Sequence, residues 1–418
     1  MVLQRDAHRG QAVLGFSRDD VGYLGSDTGV AALRVTAGFA LTDATRVADV
    51  TALRARFGDR TPALVETTLL RRRAADKLAG LGDVSAWLFT DEALQQASAA
   101  PVARYRARRI AATAPGAAVH DVTCSIGTEL AALREAGGSA APVLGSDLDP
   151  VRLAMARHNL VGHLGSGVVV VRADALHPVS RDTVVLADPA RRRAGRRSFN
   201  PRDYQPALDR LLTTYRDRNT VVKCAPGIDF DQVRQLGFDG EIELTSWRGS
   251  VREACLWSPG LSEPGVRRRA HMLDRGEQIT DVEPADCAVR PVGRWIVDPD
   301  GAVVRAGLVR HYAARHGLWQ LDADIAYLSG DRLPDGVRGF EVLEQLAYRE
   351  RRLRDALAAL DCGALEILVR GVPDVQADPD GLRRRLRLRG RRSLSVVITR
   401  IGAGASARPI AFVCRPAG

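Results

Sequence analysis

The sequence predicts an α/β protein: a mostly parallel sheet whose last strand runs antiparallel, preceded by a helical region and followed by a small α/β module. Three observations carry this expectation. Between residues 118 and 199 four short motifs each follow an apolar or β-branched run, where a parallel strand would end. Two facing apolar runs, 241–247 and 251–257, are joined by Arg248-Gly249-Ser250, a hairpin signal after the parallel order. Residues 364–401 then read strand, helix, strand.

A chain of 418 residues suggests two or three domains, and 45% hydrophobic content is ample for their cores. Residues 1–15 lack periodicity and are expected to form a loose N-terminal extension. Residues 16–114 read as helical, with an amphipathic run at 63–70 leading into Arg71-Arg72-Arg73 and capping-type starts at Thr42-Asp43 and Thr90-Asp91. Residues 115–262 form the α/β domain, with strand runs at 118–120, 142–144, 168–171 and 183–186 and helices between them. Residues 285–418 form the C-terminal module. It opens on turns such as Asp298-Pro299-Asp300-Gly301 and passes through a helix near 339–360. A strand at 364–370, a helix from near Asp380, and a strand at 393–401 paired with 409–414 follow.

Charge points to a class of partner. Sixty basic residues face fifty acidic ones, and only Lys77 and Lys223 are lysine. Arginine forks onto phosphate better than lysine does, so a pI near 9.8 favours RNA or DNA. A generally basic surface explains the charge equally well. The six cysteines form no CxxC pair and have no nearby histidine spacing, so neither a metal site nor a disulfide framework is expected. The start of the chain lacks a signal-peptide core and no stretch reaches membrane-spanning length, so a cytoplasmic protein with no membrane partner is expected.

The four motifs are Asp121-Val122-Thr123-Cys124-Ser125-Ile126-Gly127, Gly145-Ser146-Asp147-Leu148-Asp149-Pro150, Arg172-Ala173-Asp174 and Ala187-Asp188-Pro189-Ala190-Arg191. They fall on the edge where open α/β sheets bind ligands. After the first strand only Gly127 is present, not three glycines at GxGxxG spacing, so a pyrophosphate would lack the bare backbone it needs. S-adenosylmethionine has no phosphate and fits such a turn. Asp121 can face its cationic amine or sulfonium, the backbone from Ser125 can pack on its amino acid tail, and Gly127 allows the close approach. Asp147 can accept from both ribose hydroxyls, and Asp174 from the adenine amine. An aspartate after a strand is also a common helix cap, and Asp149-Pro150 reads as cap and first helical residue.

With these motifs in place, residues 118–258 resemble a class I S-adenosylmethionine-dependent methyltransferase, a Rossmann-like sheet closed by an antiparallel strand. The whole chain resembles the bacterial methyltransferase family that carries a C-terminal THUMP-like domain. That likeness rests on Val304-Arg305-Ala306-Gly307-Leu308, Leu318-Trp319-Gln320-Leu321-Asp322, Ile325-Ala326-Tyr327-Leu328 and the block 364–400. It reaches back to Phe89-Thr90-Asp91-Glu92-Ala93-Leu94 and Pro101-Val102-Ala103-Arg104-Tyr105. It implies methyl transfer to a nucleic acid, RNA first (tRNA or rRNA), since THUMP domains elsewhere serve RNA-modifying enzymes. Two departures stand out. Ser125 holds a glycine position, and the fourth motif lacks the second proline and the aromatic ring that would stack a flipped base.

Asp188 and Pro189 are therefore the candidate catalytic residues: a carboxylate beside the acceptor can take a hydrogen bond from an amine as charge develops on it. Five arginines between 191 and 197, with Arg191, Arg192 and Arg196 as the candidate phosphate clamps, sit beside the same edge, and Phe199 or Tyr204 is a candidate stacking ring. Lys223, after the fifth strand, is a candidate substrate contact; Cys224 reads as a semi-buried thiol. Arg384, Arg387 and Arg391 belong to a second arginine run that can hold RNA phosphates. Two other readings remain: a catalytically silent nucleic-acid-binding protein that keeps the fold, and a methyltransferase of a small metabolite.

Overall fold

The computed structural model describes residues 3–5, 12–137, 141–164, 167–190, 192–193, 196–197, 200–402 and 404–417. By contacts the chain forms two compact units, residues 1–247 with 252–264, and residues 248–251 with 265–418. The N-terminal helices and the parallel strands share the first unit. Within the expected extension, Leu3–Arg5 and Ala12–Leu14 pair antiparallel, and the rest of residues 1–11 lies outside the described residues.

In the first unit six helices, α1 (Arg18–Leu24), α2 (Asp27–Ala37), α3 (Arg46–Phe57), α4 (Thr61–Lys77), α5 (Asp91–Gln96) and α6 (Ala100–Thr113), precede the sheet. Helix α4 buries Ala63, Leu64, Thr67, Leu70 and Ala74, a stripe at helical spacing. Thr90 caps α5 by accepting from the Ala93 N–H, as its sequence signature predicts. The Thr42 signature does not open a helix: Thr42 and Thr45 form a hydrogen-bonded turn and α3 starts at Arg46.

The strands that follow are β1 (Ala118–Asp121), β2 (Val143–Asp147), β3 (Val168–Arg172), β4 (Thr183–Ala187), β5 (Thr220–Cys224), β6 (Glu241–Trp247) and β7 (Ser250–Trp257). They lie in the order β6-β7-β5-β4-β1-β2-β3. Strands β1 to β5 are parallel, and β7 runs antiparallel to β5. Arg248 and Gly249 both take positive φ, 52° and 66°, the backbone that a two-residue hairpin needs to match strand twist. The expected alternation fails once: no helix forms between β3 and β4. Asp174 turns the chain by accepting from the Leu176 N–H, and Pro178, which has no N–H to give, stands where a helix would continue.

Leu64, Leu70, Trp87, Phe89, Leu130, Val143, Leu186 and Trp257 belong to one continuous core, so helices α1 to α6 pack against the sheet rather than standing apart. Asn159 stitches them to the first motif: its amide accepts from the Leu88 N–H and donates to the carbonyls of Leu88 and Ile126.

In the second unit seven strands form a mixed sheet. Its centre holds Gly339–Ala347 between Trp295–Val297 and Arg408–Ala417, and one end holds the parallel pair Cys362–Arg370 and Arg392–Ile401. Residues 339–347 overturn an expectation. The sequence there, rich in glutamate, glutamine and leucine, predicts a helix from about 339 to 360; only Glu350–Ala359 is helical. Two partner strands satisfy its backbone and outweigh local preference. Pro379–Leu386 is helical and ends at Arg387, in left-handed backbone with φ 50°. Among the described residues no helix is long and apolar enough to cross a membrane, and no group of histidine, cysteine or carboxylate side chains could hold a metal ion. All six cysteines are free thiols.

Candidate active site

The motif turns at the C-terminal ends of β1 to β5 and helix α5 enclose a cavity of about 460 Å³ lined by Glu92, Asp121, Thr123, Ser125, Asp147, Asp174, Asp188, Gln205 and Lys223, among others. That volume suits a nucleoside-sized ligand. Among the described residues six carboxylates line it (Glu92, Asp121, Glu129, Asp147, Asp174, Asp188) against two cations, Arg152 and Lys223. Such a lining repels phosphates and favours a cation.

Asp121 closes β1 and is 1% exposed. It accepts from the Thr123 N–H at 3.0 Å and from Thr123 Oγ1. Burial raises its carboxyl to about 7, with Glu129 and Asp188 adding to the rise and the Thr123 bond and Lys223 opposing it. Ser125 takes a positive φ of 49°. Its buried hydroxyl has no hydrogen-bond partner among the described residues, an orphan that a bound ligand would satisfy. Gly127 has φ 88°, backbone that strains an L side chain, and a Cβ there would press on Leu160 Cδ1 at 3.1 Å.

Asp147 Oδ2 accepts from the Ser125 N–H at 3.0 Å and Oδ1 from the Asp149 N–H at 2.9 Å. A carboxylate has about four acceptor sites, so one on each oxygen remains for a pair of hydroxyls. Asp149 instead caps the next helix through the Val151 and Arg152 N–H groups. Asp174, at the mouth of the cavity, accepts from the Leu176 N–H and faces His177. That backbone bond, first among the causes, holds its carboxyl below the usual value.

Asp188 follows β4, and Pro189 behind it is buried. The Asp188 N–H donates to Thr123 Oγ1 at 2.6 Å, while its Oδ2 accepts from Lys223 Nζ at 2.5 Å. Thr123 thus links the Asp121 carboxylate at the end of β1 to the backbone of Asp188 after β4, a role that the residue's place inside the first motif does not announce. Ala190 exchanges two backbone hydrogen bonds with Gln205, both 2.9 Å, which fixes residues 204–206 beside the cavity.

Lys223 also lines the cavity but is buried, and the other expected site residues lie elsewhere. Lys223 is 4% exposed, its ammonium engaged by Asp188 and by Glu129 at 3.2 Å. Burial alone would lower it; the two carboxylates more than compensate and hold it above its ordinary value. Tyr204 cannot be a stacking platform, since its ring is 2% exposed in the core and its hydroxyl accepts from the Ala225 N–H. Cys224 is fully buried. Arg191 and Phe199 lie outside the described residues. Of Arg192 and Arg196 only the backbone is described, in a short antiparallel pair. In the second unit Arg384, Arg387 and Arg391 are exposed.

Residues 337–416 match the model of a THUMP domain-like family, and residues 17–74 match a domain of unknown function, DUF8688. Two proteins named as uncharacterised S-adenosylmethionine-dependent methyltransferases, from Mycobacterium tuberculosis strains CDC 1551 and H37Rv, are each 70% identical to this chain. Each alignment runs over 367 residues, 87% of this chain and 99% of the relative. A crystal structure of a protein assigned as a methyltransferase, from Porphyromonas gingivalis W83, superposes with a TM-score of 0.72 at 20% identity. It covers 97% of this chain and 100% of its own.

Proposed function

The chain belongs to the family of S-adenosylmethionine-dependent methyltransferases and carries a THUMP-like domain at its C-terminus, and from that premise we propose that it methylates RNA. Bound S-adenosylmethionine supplies a methyl group already activated on a sulfonium. Methyl transfer then asks the protein for alignment and exclusion of water more than for strong acid or base.

In this reading Asp121 faces the sulfonium and amine, Ser125 and Gly127 pack against the amino acid tail, Asp147 holds the ribose hydroxyls and Asp174 accepts from the adenine amine. Asp188 accepts a hydrogen bond from the acceptor amine as positive charge develops on it, and Pro189 stiffens the turn that presents it. The basic loop with Arg191, Arg192 and Arg196 clamps phosphates near the acceptor, and Lys223 stands beneath it. The methyltransferase domain of 115–262, with the helical region of 16–114 packed on its sheet, serves catalysis, and the domain of 285–418 serves grip. A tRNA or rRNA in the cytoplasm is the partner.

One observation carries the RNA reading. Arg384, Arg387, Arg389, Arg391 and Arg392 are exposed and make no ion pair among the described residues. In the same unit Arg294, Arg338, Arg383, Arg385 and Arg415 are each paired with a carboxylate. Arg305, Arg332, Arg349, Arg351 and Arg352 of the same unit are also exposed and without an ion pair among the described residues; what sets the terminal run apart is its density, five open guanidinium groups within residues 384–392, which suits an outside polyanion. The test is mass spectrometry of RNA nucleosides from a deletion strain against its parent. Loss of one methylated nucleoside is expected. An unchanged RNA profile together with a missing methylated metabolite would put the small-metabolite reading in its place.

A further inference from the structure

Lys223 is one of two lysines among sixty basic residues, and it sits at the centre of a buried chain of charges. Its ammonium, with the side chain 5% exposed, donates to Asp188 Oδ2 and Glu129 Oε1. Glu129 receives Arg106 Nη1 at 2.9 Å, and Arg106 Nη2 reaches Glu253 at 2.8 Å. The side chains of Arg106, Glu129 and Glu253 are 1%, 7% and 7% exposed. Helix α6, the helix after the first motif (Thr128–Gly137), β5 and β7 each contribute one member.

Burying five charges costs several kcal/mol per ion unless geometry compensates, so a purely structural chain of this kind has no evident advantage over packed apolar side chains. Glu129 and Lys223 also line the cavity, and Asp188, its side chain 23% exposed, is the member most open to it. There the carboxylate is held on one side only: Oδ2 takes the ammonium, the backbone N–H takes Thr123, and Oδ1 has no hydrogen-bond partner among the described residues. A guanidinium is a planar fork larger than this junction of two carboxylates needs; an ammonium is a compact point donor.

We propose that Lys223 is a positioning residue for methyl transfer: it pins Asp188 through Oδ2, leaving Oδ1 as the oxygen that receives the acceptor amine, and is itself held by the Arg106–Glu129 pair. The inference rests on the reading of Asp188 as the group beside the acceptor. It makes the N-terminal helix α6 part of the machinery of transfer, through Arg106.

A double-mutant cycle on kcat tests it, with S-adenosylmethionine and RNA both saturating. Lys223→Met is expected to lower kcat by about 10- to 100-fold, the scale of a misplaced reacting group, while the cofactor Kd and the KM for RNA stay near the parent values. In an Asp188→Ala background the same substitution is expected to cost nothing further. An equal loss in both backgrounds would show that Lys223 acts independently of Asp188, through substrate contact or folding, and would overturn this inference alone. Parental kcat in Lys223→Met would do the same. Parental kcat in Asp188→Ala would overturn both the inference and the reading beneath it. If Lys223→Met does not fold, Glu129→Gln takes its place, since Lys223 keeps Asp188 and Arg106 keeps Glu253. A smaller kcat loss, present only when Asp188 is intact, is expected; no loss would refute the proposal.

Discussion

With Asp121 beside the cofactor's cation, as proposed, affinity should depend on pH in a way that can be worked out beforehand. The Asp121 carboxyl, ordinarily near 3.8, is raised to about 7 because it is buried. S-adenosylmethionine is positive overall, so it binds the carboxylate and disfavours the protonated acid. Binding must therefore release a proton wherever Asp121 begins protonated, and affinity must rise with pH up to about 7 and level off above it. With the free-state value at about 7, about a tenth of the molecules carry the carboxylate at pH 6 and about nine tenths at pH 8, an affinity difference of about tenfold, or about 1.4 kcal/mol. Calorimetry at pH 6, 7 and 8, in buffers of different ionisation enthalpy, reads both the affinity and the protons released. Asp121→Asn should bind more weakly at pH 8 and lose this pH dependence. Protonation of the ligand's own amine changes equally for both proteins and cancels in the comparison. A parent whose affinity tracks that of Asp121→Asn across this range would refute the placement of Asp121 beside the cation.

The remaining expectations concern the ribose, the buried charges and the second unit. Asp147→Ala removes the carboxylate that still has an open acceptor site on each oxygen, and should weaken cofactor binding by roughly 1.5–3 kcal/mol; unchanged affinity in a folded variant would end that assignment. Arg106→Met leaves Glu129 and Glu253 buried without their guanidinium, and urea unfolding should show a loss of about 3–5 kcal/mol, whereas a loss below about 1 kcal/mol would mean that water or other groups already screen the pair. Replacing Arg384, Arg387 and Arg391 by glutamine should weaken RNA binding and flatten its dependence on salt, with cofactor affinity unchanged; a parental salt series would confine RNA contact to the first unit.

What the sequence discloses here follows from which features are local. The strands of the first unit are legible because each is a short apolar run closed by a motif, and the hairpin because Arg248-Gly249 supplies the turn. Asp147 could be ranked above Asp149 for the same reason, since a cap is recognised by the proline beside it, and the structure has Asp149 capping. Residues 339–347 misled because their helical composition competes with two partner strands far away in sequence, which no local window contains. The charges behind Asp188 were equally hidden. Glu129 and Arg106 look like ordinary surface residues on helices, and only the packing of α6 against the sheet brings them to Lys223. Tyr204 looked available for stacking because an aromatic in a basic loop is usually exposed, yet its hydroxyl is hydrogen-bonded inside the core.

The most direct test of the account is transfer of labelled methyl groups from S-adenosylmethionine to RNA from a strain lacking the gene, comparing the parent protein with Asp188→Ala at matched cofactor occupancy. The account predicts label in RNA with the parent protein and a near-complete loss with Asp188→Ala, although the variant still binds the cofactor. Equal incorporation by both proteins, or none by the parent, would contradict it.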